Sequence, residues 1–73
     1  MIILNKVKQF RIEGNITQEE LAAACRVSRQ TVIAIEKGNY TPSLLLALQV
    51  AEFFKLPVEK VFELKEWYTK VTL

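Results

Sequence analysis

Between Thr17 and Lys37 the chain reads TQEELAAACRVSRQTVIAIEK, and two helix starts fall inside that one short stretch. Thr17 and Glu20 form a T-x-x-E capping box, in which a hydroxyl and a carboxylate each accept from an orphan backbone N–H of a helix N-terminus. Ser28 is the second start, because a serine oxygen accepts from an N–H in the first turn that follows it. Behind each cap, apolar residues recur at helical spacing: Leu21, Ala22, Ala24 and Cys25 after the first, Val32 and Ile35 after the second. Helices this short cannot stand alone, so they must cross and cover one another. Ala22 is small where the crossing falls, and a large side chain there would cost roughly 1–3 kcal/mol by overpacking. Val27 is the apolar residue inside the turn. Arg26 stands where the turn calls for a positive φ. A left-handed Arg costs roughly 1–2 kcal/mol, so either the turn bears strain or its geometry is relaxed.

Two short capped helices joined by a tight turn are the layout of a helix-turn-helix, residues 17–37, whose second helix lies in the DNA major groove. The remaining segments read as its support. Ile3, Val7 and Phe10 predict a first helix over roughly Leu4 to Glu13, ended by Gly14-Asn15. Gly38-Asn39 stops the helix that Ser28 opens. Ser43 caps a fourth, whose Leu44, Ala47, Leu48, Val50, Ala51 and Phe54 make it apolar on most of its surface, as in a central or interfacial helix. Pro57 at a first helical position opens a short fifth helix with Val58, Val61 and Phe62. In the C-terminal extension, residues 65–73, Trp67, Thr69, Val71 and Leu73 alternate with Tyr68, Lys70 and Thr72, which argues for a strand. Its available partner is Met1 to Leu4, so a small antiparallel sheet joins the two ends, within one chain or across a dimer.

Seventy-three residues make one domain. A chain this size buries only about 60% of its unfolded surface, so its stability is marginal. Cys25 is the only cysteine, which excludes a disulfide within the chain, and there is no histidine to build a zinc site or a catalytic base. On the inner face of its helix Cys25 is a small hydrophobe and not a redox sensor. No carboxylate pair, nucleophile with a base, metal-ligand cluster or glycine-rich phosphate loop is present, so the chain is not an enzyme and no cofactor or small-molecule ligand is expected. The net charge is +2. All of that excess lies in residues 1–41, where Lys6, Lys8, Arg11, Arg26, Arg29 and Lys37 outnumber Glu13, Glu19, Glu20 and Glu36; the sign is the one phosphate binding favours, and an excess of two charges is weak evidence for it. The apolar start is too short for a signal peptide or a membrane span, and a free thiol fits the cytoplasm.

The order and spacing of T-Q-E-E-L-A, V-S-R-Q-T, I-E-K-G and P-S-L resemble the Cro/repressor-type (Xre) helix-turn-helix family, and within it the short bacterial and archaeal regulators. The resemblance covers about residues 3–64. Arg26 for glycine, Cys25 for leucine, Pro57 for a capping Ser or Thr, and the C-terminal extension depart from the pattern. It implies an all-α, five-helix lambda-repressor-like domain, here with a small terminal β element. It implies that Arg29, Gln30, Ile33 and Ala34 face base edges. The chemistry agrees: Arg pairs with guanine O6 and N7, Gln with adenine N6 and N7, and apolar side chains touch the thymine methyl. Phosphate contacts are expected from Gln18, Thr17, Thr31, Lys37, Asn39, Tyr40, Thr41 and Ser43, because helix N-termini and polar loop residues fix register on the duplex. The resemblance further implies an ion pair between Arg11 and Glu36.

These readings converge on a sequence-specific transcriptional regulator that binds double-stranded DNA as a homodimer on a palindrome. With no second domain in the chain to recruit polymerase, repression is expected and not activation. The surplus apolar residues of the last two helices and the tail, Phe53, Leu56, Val61, Trp67 and Val71, are the expected dimer surface. The alternative is an antitoxin-like protein-interaction module whose DNA binding is secondary.

Overall fold

The computed structural model describes residues 2–65. A strand β1 (Ile2–Asn5) leads into α1 (Val7–Glu13), followed by α2 (Gln18–Cys25), α3 (Arg29–Glu36), α4 (Leu44–Phe54), the single-turn α5 (Val58–Val61) and a second strand β2 (Phe62–Lys65). The fold is all-α with a two-stranded antiparallel sheet that ties the start of the described chain to its end. Ile2 pairs with Lys65, Ile3 with Leu64, Leu4 with Glu63 and Asn5 with Phe62, and the Lys6 N–H donates to Val61 O at 2.9 Å just beyond the ladder.

Three expectations shift. Leu4 and Asn5 belong to β1 and not to the first helix, which begins at Val7. The reason is a side chain. Asn5 Oδ1 accepts from the Val7 N–H at 3.1 Å and its Nδ2 donates to Ile35 O at 2.9 Å, so Asn5 starts α1 and anchors it to the end of α3. The partner strand is Phe62–Lys65, so Phe62 leaves the fifth helix; the expected strand at Trp67 to Leu73 lies outside the described residues. The sheet forms within one chain. Pro57 is the N-cap of α5, with ψ of 148°, and not its first helical residue. Without a side-chain acceptor, the helix extends for one turn.

Val7, Leu21, Ala22, Cys25, Val32, Ile35, Leu46, Val50, Ala51 and Val61 form the core. Each fully buried aliphatic side chain contributes about 1.5–3 kcal/mol. Val61, expected on a dimer surface, is 1% exposed and packs inward. Ala24 is exposed, so Leu21, Ala22 and Cys25 alone carry the inner face of α2. On α4 it is Leu46, Val50 and Ala51 that turn inward, while Leu44, Leu45 and Leu48 stand in the open. Phe54 half-buries between the rings of Phe10 (centroids 5.9 Å apart) and Phe53 (5.3 Å, edge to face).

The four longer helices stop the same way. After each, one residue turns left-handed: Asn15 (φ 56°), Arg26 (58°), Gly38 (78°) and Lys55 (58°). The next N–H in each case reaches back to a carbonyl of the last turn, Ile16 to Arg11, Val27 to Ala22, Asn39 to Ala34 and Leu56 to Ala51, all between 2.9 and 3.0 Å. This is the Schellman closure, in which apolar residues just past the stop pack back on the helix. Ile16, Val27 and Leu56 do so, half-buried against the core. Of the four, glycine fills the left-handed position only at 38. The turn therefore does hold Arg26 in the strained conformation.

Candidate nucleic-acid interface

The two caps place the site. Thr17 Oγ1 accepts from the Glu20 N–H at 3.0 Å, and Glu20 Oε1 accepts from the Thr17 N–H at 2.7 Å, which completes the capping box. Ser28 Oγ accepts from the Thr31 N–H at 3.1 Å. With Val32 and Ile35 buried, the opposite side of α3 faces outward: Arg29 and Gln30 at its start are exposed, Ile33 and Ala34 half-buried. A helix start carries orphan N–H groups and a partial positive charge; at α2 Glu19 and Glu20 already stand in the first turn, whereas the first turn of α3 carries no acidic residue and is the better suited to an anion.

Behind that face lies an ion pair. Arg11, in the last turn of α1, donates from Nε to Glu36 Oε2 at 2.7 Å and from Nη2 to Glu36 Oε1 at 3.2 Å. Its Nη1 donates to Ile16 O at 3.0 Å. The two side chains are only 12% and 4% exposed. The hydrogen bonds to Glu36 raise the Arg11 pKa further above its already high ordinary value, against the opposing effect of burial.

From Glu36 the hydrogen bonds continue to the surface. Gln18 Nε2 donates to Glu36 Oε1 at 3.1 Å. Gln18 Oε1 in turn accepts from Arg29 Nε at 3.3 Å, and Glu19 Oε2 lies 3.4 Å from the same nitrogen. The Arg11–Glu36 pair is the one the resemblance implied; its continuation through Gln18 to Arg29 is what the sequence reading lacked. No spacing rule reveals it, since it links the last turn of α1 and the last residue of α3 to the first residues of α2 and α3.

The expected phosphate contacts divide. Lys37, Asn39, Tyr40 and Thr41 are exposed along the loop after α3. Thr17 and Ser43 use their hydroxyls as caps, Ser43 Oγ accepting from the Leu46 N–H at 3.1 Å. Thr31 Oγ1 shares a hydrogen bond with Ser28 Oγ at 3.1 Å. Gln18 spends its carbonyl on Arg29 and one N–H on Glu36, which leaves one amide N–H. Of the expected dimer residues, Phe53 and Leu56 are half-buried and line a shallow depression with Phe10, Ile16 and Phe54. Trp67 and Val71 lie outside the described residues. Cys25 is buried, and burial pushes its thiol above the ordinary value of 9.0. Among the described residues there is no cluster of potential metal ligands and no helix long and apolar enough to cross a membrane.

Comparison with known proteins agrees with this geometry. The helix-turn-helix family profile matches residues 7–61. The HTH-type transcriptional regulator MJ0272 of Methanocaldococcus jannaschii is 55% identical over 58 residues, covering 80% of this chain and 88% of that protein. The phage CTXphi transcriptional repressor RstR of Vibrio cholerae is 32% identical over 57 residues, 78% of this chain and 51% of the repressor. The restriction-modification controller protein C.AhdI of Aeromonas hydrophila shares the fold, with a TM-score of 0.71 at 24% identity over 75% of this chain and 83% of its own. The chain belongs to the Xre-type helix-turn-helix family: it is a DNA-binding transcriptional regulator and not an enzyme.

Proposed function

We propose that the protein is a repressor that binds a palindromic operator in the cytoplasm as a two-fold homodimer. One observation carries the reading: Arg29 and Gln30 are exposed together on the first turn of α3, beside the N-terminus of α2. Arg29 addresses guanine and Gln30 adenine, while Ile33 and Ala34 meet thymine methyls. The loop residues Lys37, Asn39, Tyr40 and Thr41 and the start of α2 at Gln18 hold the phosphates on either side. The likeness to RstR supports repression. The apolar depression containing Phe53 and Leu56 supports pairing through the α4–α5 corner. A dimer presents two recognition helices one DNA turn apart, about 34–36 Å. Specific affinity is expected on the order of 10⁻⁸ to 10⁻¹¹ M at physiological salt.

The test is selection of bound duplexes from a random pool with purified protein at moderate salt. A motif whose two inverted halves are centred one helical turn apart is expected. An asymmetric motif would remove the dimer, and no enriched motif would remove sequence-specific binding. A second reading, a module that mainly covers a protein partner, draws on Leu44, Leu45 and Leu48, which are 73%, 67% and 47% exposed on one side of α4. Failure of the selection together with a co-purifying partner would favour it.

A further inference from the structure

We infer that Glu19 is a positioning residue for base readout: with Gln18 it holds the Nε edge of Arg29 so that only the two terminal nitrogens of the guanidinium are offered to a guanine. The inference rests on the assignment of Arg29 to a base edge. It starts from two distances. Arg29 Nε donates a hydrogen bond to Gln18 Oε1 at 3.3 Å, and the Glu19 carboxylate stands 3.4 Å from the same nitrogen as an ion pair, so two residues of the preceding helix face that one atom.

A guanidinium has five N–H donors in a rigid plane. It can meet guanine O6 and N7 end-on, through Nη1 and Nη2, or side-on, through Nε and one Nη. Occupation of Nε from the protein side removes the second geometry. The plane of the group is then set before DNA arrives, and less rotamer freedom is lost on binding.

The sense of the Gln18 amide is fixed independently. Glu36 carries two hydrogen bonds from Arg11 and, as a carboxylate, can only accept. Gln18 must therefore turn its NH₂ toward Glu36, as it does at 3.1 Å, and its carbonyl toward Arg29. A reversed amide would oppose two donors. The charge of Glu19 adds a second effect. An unpaired arginine on this face would bind any phosphate within reach, whereas one paired to a carboxylate does so less, which lowers binding to random sequence more than binding to the operator.

The experiment compares the full chain with Glu19→Ala, Glu19→Gln and Arg29→Ala on the selected operator, on operators changed at single base pairs, and on random duplex across a salt series. Arg29→Ala should flatten the preference at one base position by about 5- to 150-fold, the worth of a bidentate contact. Glu19→Ala should lose about three- to tenfold of the guanine preference at that same position and at no other. It should bind random duplex more tightly, with the slope of log K against log salt steeper by about one. Glu19→Gln keeps an acceptor oxygen and should retain most of the preference while still tightening random binding. If Glu19→Ala leaves the guanine preference intact while Arg29→Ala abolishes it, the positioning role is wrong and the assignment of Arg29 stands. A uniform loss on every sequence for Glu19→Ala also overturns it, since that is the signature of a structural defect. If Arg29→Ala changes no base preference at all, the assignment itself fails.

Discussion

Arg11→Ala should unfold much of this domain at temperatures where the parent is intact, although Arg11 meets no base. The magnitude follows from what is left behind. Glu36 is 4% exposed and takes three hydrogen bonds, two from Arg11 and one from Gln18. Without Arg11, a nearly buried carboxylate keeps a single amide donor, and Ile16 O loses its partner. Stranding one member of a buried pair costs about 3–5 kcal/mol. A chain of this length is stable by only about 4–11 kcal/mol in total. At about 4–8 °C per kcal/mol, the melting temperature should fall by about 12–40 °C. The assay is helical circular dichroism against temperature and urea, with the urea slope checked for constancy. The double variant Arg11→Met, Glu36→Leu should recover most of the loss, since an apolar pair of similar volume removes the stranded charge. The pH profile is also fixed. The folded Arg11 pKa is raised, so its stabilisation is fully present below the unfolded value and is lost only as strong alkali passes the folded one. Between pH 6 and pH 9 the difference between parent and variant should therefore stay constant. A melting temperature within about 5 °C of the parent, or a double variant no better than the single, would refute the reasoning.

Three further outcomes follow from the backbone and the core. Arg26→Gly should raise stability by about 0.5–1 kcal/mol in urea titration, because relief of the left-handed strain exceeds the extra entropy of glycine in the unfolded chain; no gain would mean that Arg26 makes compensating contacts. Ser28→Ala should cost about 1 kcal/mol and fray the first turn of α3, read as faster amide exchange at Thr31. Cys25 has a raised folded pKa, so its contribution is complete below the unfolded value of 9.0 and fades as pH climbs through the folded one. Cys25→Ala should abolish that alkaline loss, and the native thiol should resist a disulfide reagent until urea unfolds the chain.

What the sequence discloses here is local and polar. Thr17, Ser28 and Ser43 each cap a helix in the structure, because a cap is a bond between residues two or three apart and needs no knowledge of the fold. Asn15, Arg26 and Gly38 mark their stops for the same reason. What the sequence hides is set by distant neighbours. Leu44-Leu45-Leu46-Ala47-Leu48 is apolar throughout, so periodicity cannot tell which side is inward, and packing against α2 and α5 selects Leu46. Trp67 to Leu73 is a longer alternating run than Phe62 to Lys65, whose first residue also fits the helical pattern of the segment before it, yet β1 pairs with the latter. The Lys6 N–H bond to Val61 O fixes where the two strands meet, immediately after α5. Asn5 reads as an unremarkable residue in a helical pattern until its amide is seen spanning to Ile35.

The same accounting explains why Glu36 has less freedom than the residues it supports. Arg29 and Gln30 are exposed, and their replacement removes no buried partner. Glu36 holds α1 to α3 through Arg11 and also dictates which end of the Gln18 amide faces the recognition helix. Glutamine at 36 would keep the shape, but its NH₂ would face Arg11 Nε in one orientation and both Arg11 Nη2 and Gln18 Nε2 in the other, so donor would meet donor whichever way it turned. The first orientation weakens the fold. The second also reverses the Gln18 amide, faces its NH₂ to Arg29 and misdirects the guanidinium. On the proposed base readout, the operator sequence can change through positions 29 and 30 while the carboxylate beneath them stays, because stability and aim both pass through Glu36 Oε1.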